Sequence, residues 1–215
     1  MRIVLGGGLT LLISVPAAYV LSVEKNEFPA RTKYVGFLLV PMFFSGGIIP
    51  SYILMKQLNL LSTIWALVLP GTAAMSVLIL LLNFFRTIPK EIREAAKLDG
   101  GNDLQMLIYV YLPLGMPCII TVAMFSLINH WNAWFDGVVY MRDVTKYPLQ
   151  TYVYSAIQSL VSLSMGQETI VEGPTVAKAS LKAAYTVIAT LPVVCVYPLL
   201  QRYVKDGLVI GSVKG

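Results

Sequence analysis

Long apolar runs without charge dominate this sequence, and they limit what it can fold into. Each run has about twenty residues, which is the length that an α-helix needs to cross the hydrocarbon core of a bilayer. The chain is 57% hydrophobic and 13% charged, whereas soluble domains carry about 25% charged residues. The sequence therefore predicts an all-α integral membrane protein. It has one transmembrane domain over residues 1–215 and five predicted spans, at about residues 3–22, 34–55, 62–85, 114–135 and 183–200.

One charged stretch, residues 89–112 with its flanks, separates the third and fourth predicted spans. Eight charged side chains fall within the eighteen residues that begin at Arg86. One charge at the bilayer centre costs roughly 2.5–3.5 kcal/mol, so burying all eight would cost on the order of 20 kcal/mol. The stretch must therefore lie in water. It predicts a helix after Pro89, a turn at Gly100, and a second short helix from residue 102 or 103 to about residue 111, before Pro113 opens the next span.

A spaced motif lies within this stretch, and its positions are Glu94, Ala95, Ala96, Asp99, Gly100, Leu112 and Pro113. The motif resembles the EAA loop of ABC importer permeases, with Val110 where the family has isoleucine. In that family the loop is a cytoplasmic coupling helix that docks onto the ATPase subunit. The resemblance implies that Glu94 is the polar anchor, that the two alanines allow close approach, and that Gly100 makes the turn. It also leads us to expect that Asp99 caps the second short helix. The alternative is a solvated helix that only joins two spans.

Further motifs extend the resemblance along nearly the whole chain: Asn83-Phe84-Phe85-Arg86-x-Ile88-Pro89, Trp131-Asn132-x-Trp134-Phe135, Tyr147-Pro148-Leu149-Gln150 and the terminal Gly211-Ser212-Val213-Lys214-Gly215. They are similar to the carbohydrate branch of the family, which has a MetI-like helix bundle, and most similar to permeases for oligosaccharides or polysaccharides. Such permeases usually have six spans. The resemblance therefore implies either a truncated start or a shorter protein, and its terminal motif implies a complete C-terminus.

The resemblance also implies the partners of the chain. These are a second permease, most simply in a heterodimer, two ATPase subunits, an extracytoplasmic solute-binding protein, a sugar substrate and the lipid of the cytoplasmic membrane. The chain has no nucleotide-binding loop, nucleophile elbow or metal-ligand spacing. We therefore expect that it is not an enzyme and binds no cofactor, with ATP and Mg on the ATPase subunits.

The basic residues predict an orientation. Ten of the sixteen Lys and Arg residues fall in the 23–33 loop, the 84–112 stretch and the C-terminal tail. The positive-inside rule places these segments, including the C-terminus, in the cytoplasm. Because the basic residues flank apolar runs and form no patch, we expect no nucleic-acid partner.

Polar and aromatic residues gather at the end of the fourth predicted span. Sugars present hydroxyl groups and C–H faces, which suit amide hydrogen bonds beside aromatic rings. We therefore predict a substrate pathway lined by Asn129, His130, Trp131, Asn132, Trp134, Asp136 and, within the non-spanning segment 137–180, Tyr154. The alternative is that these aromatic residues mark a membrane interface and that His130 is a packing residue.

Other classes of membrane protein share some of these features. A permease for peptides or phosphate esters would share most of these features. A secondary transporter would carry ionisable residues at its span centres, and the five predicted centres have none. A structural or assembly protein would not need the EAA-type motif. Proline and glycine in the second predicted span indicate a kinked helix, or else a broken helix that lines the pathway. Cys118 and Cys195 fall within predicted spans as small apolar residues.

Overall fold

The chain is α-helical throughout the part that the structure describes. The computed structural model describes residues 1–165 and 180–195, with side chains for 1–159 and 180–195. The helices are α1 (Arg2–Ser22), α2 (Arg31–Phe43), α3 (Ile48–Gln57), α4 (Ile64–Thr72), α5 (Met75–Phe85), α6 (Lys90–Leu98), α7 (Asp103–Gln105), a π-helical segment (Met106–Tyr111), α8 (Leu112–Asn132), α9 (Phe135–Tyr140), a 3-10 turn (Val144–Lys146), α10 (Leu149–Met165) and α11 (Ser180–Cys195).

Helix α1 is central to the packing of the bundle. It contacts α4, α5 and α8, and α5 in turn packs on α8. The residues buried most deeply between these helices include Ala18, Leu81, Phe85 and Val122. Small residues allow the close approach that drives helix association in lipid. At Gly115, an added Cβ would lie 2.5 Å from Cε1 of Phe85, so only glycine lets α8 sit this near α5.

Two predicted spans are bent helix pairs. The second is interrupted between α2 and α3, whose axes differ by 109°. Gly47 lies in this break with φ +84°, a left-handed conformation that glycine adopts at no steric cost. The helix is thus broken and not merely kinked, while its role in lining a pathway stays a prediction. The third predicted span bends by 42° between α4 and α5, where Ala73 and Ala74 leave helical geometry.

The charged stretch begins as predicted and continues differently. Helix α6 follows Pro89, and Gly100 turns the chain with φ +82°. The expected second short helix is not a separate element, because α7, the π-helical segment and α8 form one continuous helix of 30 residues, Asp103–Asn132. Pro113 lies inside this helix and does not open a new one. Proline lacks the N–H that would bond to the preceding turn, and the wider π turns accommodate this loss.

Asp99 does not cap α7, which corrects our expectation. The cap is Asn102, whose side-chain oxygen accepts a hydrogen bond from Gln105 N at 2.8 Å. The Gln105 side chain accepts one from Asn102 N at 2.9 Å. This reciprocal pair is a capping box, and it satisfies two backbone donors that the helix itself leaves free.

The second half of the chain also departs from the predicted boundaries. The fourth predicted span ends at Asn132 and not at residue 135, and α9 follows as a separate short helix. In the described part, two helices are long and apolar enough to cross a membrane, or up to four if each bent pair counts as one span. Helix α11 covers part of the fifth predicted span, whose residues 196–200 lie outside the described set, as do the C-terminal tail and its terminal motif. Five spans therefore remain a prediction.

Candidate functional site

Helix α6 presents two chemically different faces. Lys90, Arg93 and Lys97 follow each other at helical spacing and form a basic stripe. The stripe faces acidic residues in the loop between α1 and α2. Glu27 lies 2.7 Å from both the Arg93 and the Lys97 nitrogens, and Lys90 lies 3.9 Å from Glu24. The charges of this face are therefore largely satisfied within the chain.

The rest of the surface of α6, which we call its open face, carries the predicted coupling residues and is largely open to water. Glu94 and Ala96 flank the basic stripe, and Ala95 and Asp99 lie away from it. Glu94, Ala95, Asp99 and Gly100 are exposed, and Ala96 is half-buried. Within the described part of the chain, neither Glu94 nor Asp99 forms a side-chain ion pair. This face thus combines exposed carboxylates with small side chains.

Apolar side chains extend this open face. Leu98 is 89% exposed, Leu104 64% and Tyr109 74%, although they flank a charged helix. A concavity of about 300 Å³ lies beside them, and its lining includes Ala96, Asp99, Gly100, Gln105, Met106 and Tyr109. Exposed apolar residues grouped around a concave surface are typical of a protein–protein contact. Of the remaining motif residues, Leu112 packs against the helix core and Pro113 is exposed.

A polar cavity lies toward the other end of α8, which is 21 residues or about 30 Å long. The cavity also holds about 300 Å³, and we call it the polar cavity after the part of its lining formed by Arg2, Ser126, Asn129, His130 and Asp136. The rest of its wall is apolar or small, with Leu67, Pro70, Gly71, Ala74, Val77 and Ala133. Arg2 forms an ion pair with Asp136 and donates a hydrogen bond to the Ala133 carbonyl at 2.9 Å. The two charges compensate each other, so the cavity offers hydrogen-bonding groups without a net charge from this pair.

His130 is buried where α1, α4 and α8 meet. A Cβ added at Gly71 would lie 2.9 Å from Cε1 of the His130 ring, and one added at Gly6 would clash with the ring. The imidazole therefore fills the space that these two glycines leave. His130 borders the cavity, but its ring also has the packing role that the alternative interpretation gave it.

The predicted pathway residues divide into two groups. Asn129, His130 and Asp136 line the cavity. Trp131 points elsewhere, since its Nε1 donates to the Ala189 carbonyl of α11 at 2.9 Å. Trp134 stacks on Tyr154 with ring centroids 3.9 Å apart, and Asn132 is exposed. These last four residues are not among those that line the cavity.

Several residues at these two sites were not predicted from the sequence, among them the charged or polar residues Arg2, Glu27, Arg93 and Ser126. Only one of them carried a local signal, because the helical spacing of Lys90, Arg93 and Lys97 shows that Arg93 shares a face with two lysines. Among the described residues, no cluster of His, Cys, Asp or Glu is placed to hold a metal ion. The absence of a cofactor remains an expectation.

Comparison with known proteins identifies the family. Residues 4–209 match the family described as "Binding-protein-dependent transport system inner membrane component". The chain belongs to this family. It is an inner-membrane permease component with a MetI-like helical fold, as the EAA-type motif indicated.

Relatives of this permease include two proteins of Bacillus subtilis (strain 168). The "Polygalacturonan/rhamnogalacturonan transport system permease protein YtcP" is 34% identical over 212 residues, which are 99% of this chain and 73% of that protein. "Protein LplC" is 37% identical over 212 residues, 99% of this chain and 71% of that protein. A solved "bacterial ABC transporter involved in the import of the acidic polysaccharide alginate" has a chain that matches with TM-score 0.75 and 30% identity, covering 94% of this permease and 71% of that chain.

Proposed function

We propose that this permease forms half of the membrane pathway of an ATP-driven importer for oligosaccharides or polysaccharides. Its family supports the transport role, and its relatives support the substrate class, because they include permeases named for polygalacturonan/rhamnogalacturonan, lactose and arabinooligosaccharide transport. A permease for peptides or phosphate esters is the alternative, and no observation on this chain favours it.

The observation that carries the mechanism is the open face of α6. Exposed carboxylates and small residues lie beside exposed leucines, and a left-handed glycine ends the helix. An ATPase subunit docks on this face from the cytoplasm. Glu94 is its polar anchor, Ala95 and Ala96 allow close approach, and Gly100 sets the angle of the turn. When the ATPase dimer closes on ATP, it pulls α6, and the pathway changes from inward-open to outward-open.

The polar cavity is the proposed place of substrate contact. Its volume of about 300 Å³ is at the lower end of the range for small-molecule sites, and suits one or two sugar units of a longer chain. Asn129 is exposed and offers both a donor and an acceptor to neighbouring hydroxyls. The stacked Trp134 and Tyr154 are exposed or half-buried outside the cavity, where they guide a sugar by its C–H face.

The partners in this proposal are a companion permease, two ATPase subunits and an extracytoplasmic solute-binding protein. ATP and Mg bind to the ATPase subunits, so this chain itself is not an enzyme. The face of α6 and the C-terminus lie on the cytoplasmic side. Labelling of a single cysteine placed at Leu98, which is 89% exposed, tests this orientation in intact cells. Modification by an impermeant reagent from outside the cell would contradict it.

Reconstitution tests the function. The permease, its companion and the ATPase subunits encoded with it are placed in proteoliposomes with the solute-binding protein. Acidic and neutral oligosaccharides, a peptide and a phosphate ester are then offered as labelled substrates. We expect ATP-dependent uptake of an oligosaccharide, and uptake of the peptide or the phosphate ester alone would support the alternative.

Matched variants test the two sites. Glu94→Lys removes the proposed anchor, and Asp143→Lys makes the same charge reversal at an exposed carboxylate outside α6. We expect Glu94→Lys and Gly100→Val to abolish uptake while the protein stays in the membrane, and Asp143→Lys to retain it. For the cavity, Asn129→Ala should raise the apparent KM for uptake, and Asn132→Ala, outside the cavity, should not. Normal uptake by Glu94→Lys and Gly100→Val would refute the coupling roles.

A further inference from the structure

The loop between α1 and α2 lies against the basic stripe of α6. Glu27 in this loop accepts from Arg93 and Lys97, each at 2.7 Å. The loop is itself braced, because Arg31 donates to the Val23 carbonyl across it. Glu27 therefore contacts α6 from a fixed position and not from a freely moving segment.

Arg93 differs from the other basic residues of the stripe by its burial. Its side chain is 8% exposed, whereas Lys97 is 41% and Lys90 64% exposed. The guanidinium lies 5.8 Å from the ring centre of Tyr19 in α1, within the range of a cation–π contact. It also lies 3.7 Å from Asp103, the first residue of α7.

Tyr19 completes the connection between these residues. Its hydroxyl donates to Asp103 at 3.0 Å, so the ring that Arg93 faces is itself fixed to α7. We name Arg93, Glu27, Tyr19 and Asp103 the arginine clasp. The clasp joins four parts of the chain at one point: α1, the loop after it, α6 and α7.

The backbone after α6 caps the helix but does not tie it to the spans. The N–H groups of Gly100 and Gly101 donate to the Lys97 and Ala96 carbonyls of α6 itself, each at 3.0 Å. A force applied to the open face of α6 would therefore tend to swing the helix about this turn. Side-chain contacts to the bundle are needed to turn such a swing into movement of the spans, and α1 is the helix that packs on α4, α5 and α8.

We propose that Arg93 is a positioning residue for transport, which fixes α6 to α1 through the arginine clasp so that movement of the docked ATPase reaches the membrane helices. This inference rests on the proposed function, since it assumes that α6 is the docking helix. The geometry favours arginine over lysine, because a planar guanidinium pairs with a carboxylate and faces an aromatic ring at once, whereas a lysine ammonium is a single point charge.

The test compares Arg93→Gln and Arg93→Lys with Lys90→Gln in the reconstituted transporter. Lys90→Gln removes one positive charge from the same stripe but touches no member of the clasp. The quantity measured is substrate taken up per ATP hydrolysed, together with the amount of assembled complex. A merely structural role would lower the amount of complex and leave this ratio unchanged.

We expect Arg93→Gln to lower the ratio about tenfold, because loss of a hydrogen bond to a charged group shifts an equilibrium, here between clasped and released α6, by roughly tenfold or more. Arg93→Lys should lie between Arg93→Gln and wild type, and Lys90→Gln should stay within about twofold of wild type, as for an exposed ion pair. The double variant Glu27→Gln with Arg93→Gln should lower the uptake per ATP no further than Arg93→Gln alone. An unchanged ratio in Arg93→Gln would overturn the proposal.

A second measurement separates this inference from the proposed function. Spin labels on cysteines at Lys25, in the loop, and Leu98, at the end of α6, report their distance in the purified complex after Cys118 and Cys195 are replaced by alanine. We expect one narrow distance distribution in wild type and a broader one in Arg93→Gln. Equal widths would overturn the clasp. A third outcome is that the distribution broadens in Arg93→Gln but wild type shows no ATP-dependent uptake. That outcome would overturn the proposed function, and with it the role of Arg93 in transport, while the clasp would stand as a structural contact.

Discussion

The two candidate sites of this permease are built in opposite ways. The open face of α6 consists of neighbours in sequence that stand in water, whereas the polar cavity joins Arg2 to Asp136, which are 134 positions apart. The first site contributes little to the free energy of unfolding, because its side chains are exposed. The second is part of the packing that holds α1, α4 and α8 together. Substitutions at α6 should therefore change coupling more than stability, and substitutions at the cavity should change both.

The largest loss of stability is expected at the cavity ion pair. The Arg2 side chain is 9% exposed, and Asp136→Ala removes the carboxylate that pairs with it. Breaking a buried pair on one side costs about 3–5 kcal/mol, whereas replacing both partners by apolar residues is often neutral. Asp136→Ala should therefore lower the melting temperature in detergent sharply, and Arg2→Met with Asp136→Leu should recover it. Glu91→Ala, at an exposed carboxylate without an ion pair among the described residues, is the control, and an equal loss there would contradict this account.

A smaller loss is expected where His130 packs against glycine. Gly6→Ala would place a methyl group against the imidazole, and overpacking of this kind costs about 1–3 kcal/mol. Gly8→Ala lies on the same helix with no atom within 4 Å of the added Cβ, so it should be neutral or slightly stabilising. Thermal unfolding of the two variants measures the difference. If both behave alike, the ring does not occupy the space that the structure gives it.

The smallest effect is expected at the turn after α6. Asn102→Ala removes the capping box of α7, and loss of an N-cap typically costs about 1 kcal/mol. Asp99→Ala removes no cap and should leave the melting temperature unchanged. The same pair of variants also tests coupling, because Asp99 belongs to the open face. We expect Asp99→Ala to reduce uptake more than it reduces stability, and Asn102→Ala to show the reverse.

The sequence predicted those parts of the structure that local chemistry determines. Helix α6 follows from its composition and from Pro89, and the turn at Gly100 follows from the freedom of glycine. The cap at Asn102 was also readable, because Asn102 and Gln105 have capping-box spacing.

Long-range features could not be predicted in this way. Nothing near Arg2 in the sequence indicates a partner at Asp136, and nothing near Trp131 indicates that it faces Ala189 and not the cavity. The continuity of α7 with α8 was missed because proline was taken as a helix start. In the structure, the π-helical segment lets the helix pass Pro113 without a break. Roles in coupling and in substrate contact depend on partners, so the sequence supports them by resemblance only.

That π-helical segment also determines how one long helix serves both sites. Its hydrogen bonds enclose one more residue per ring than those of an α-helix, and each added residue turns the following side chains by about 100° around the axis. Asp103 can thus face the arginine clasp and Asn129 the cavity, although a regular helix would aim one of them differently. Deleting a single residue between Met106 and Tyr111 would rotate one end of the helix Asp103–Asn132 relative to the other. The two sites would then be misaligned, although every other residue of the protein is unchanged.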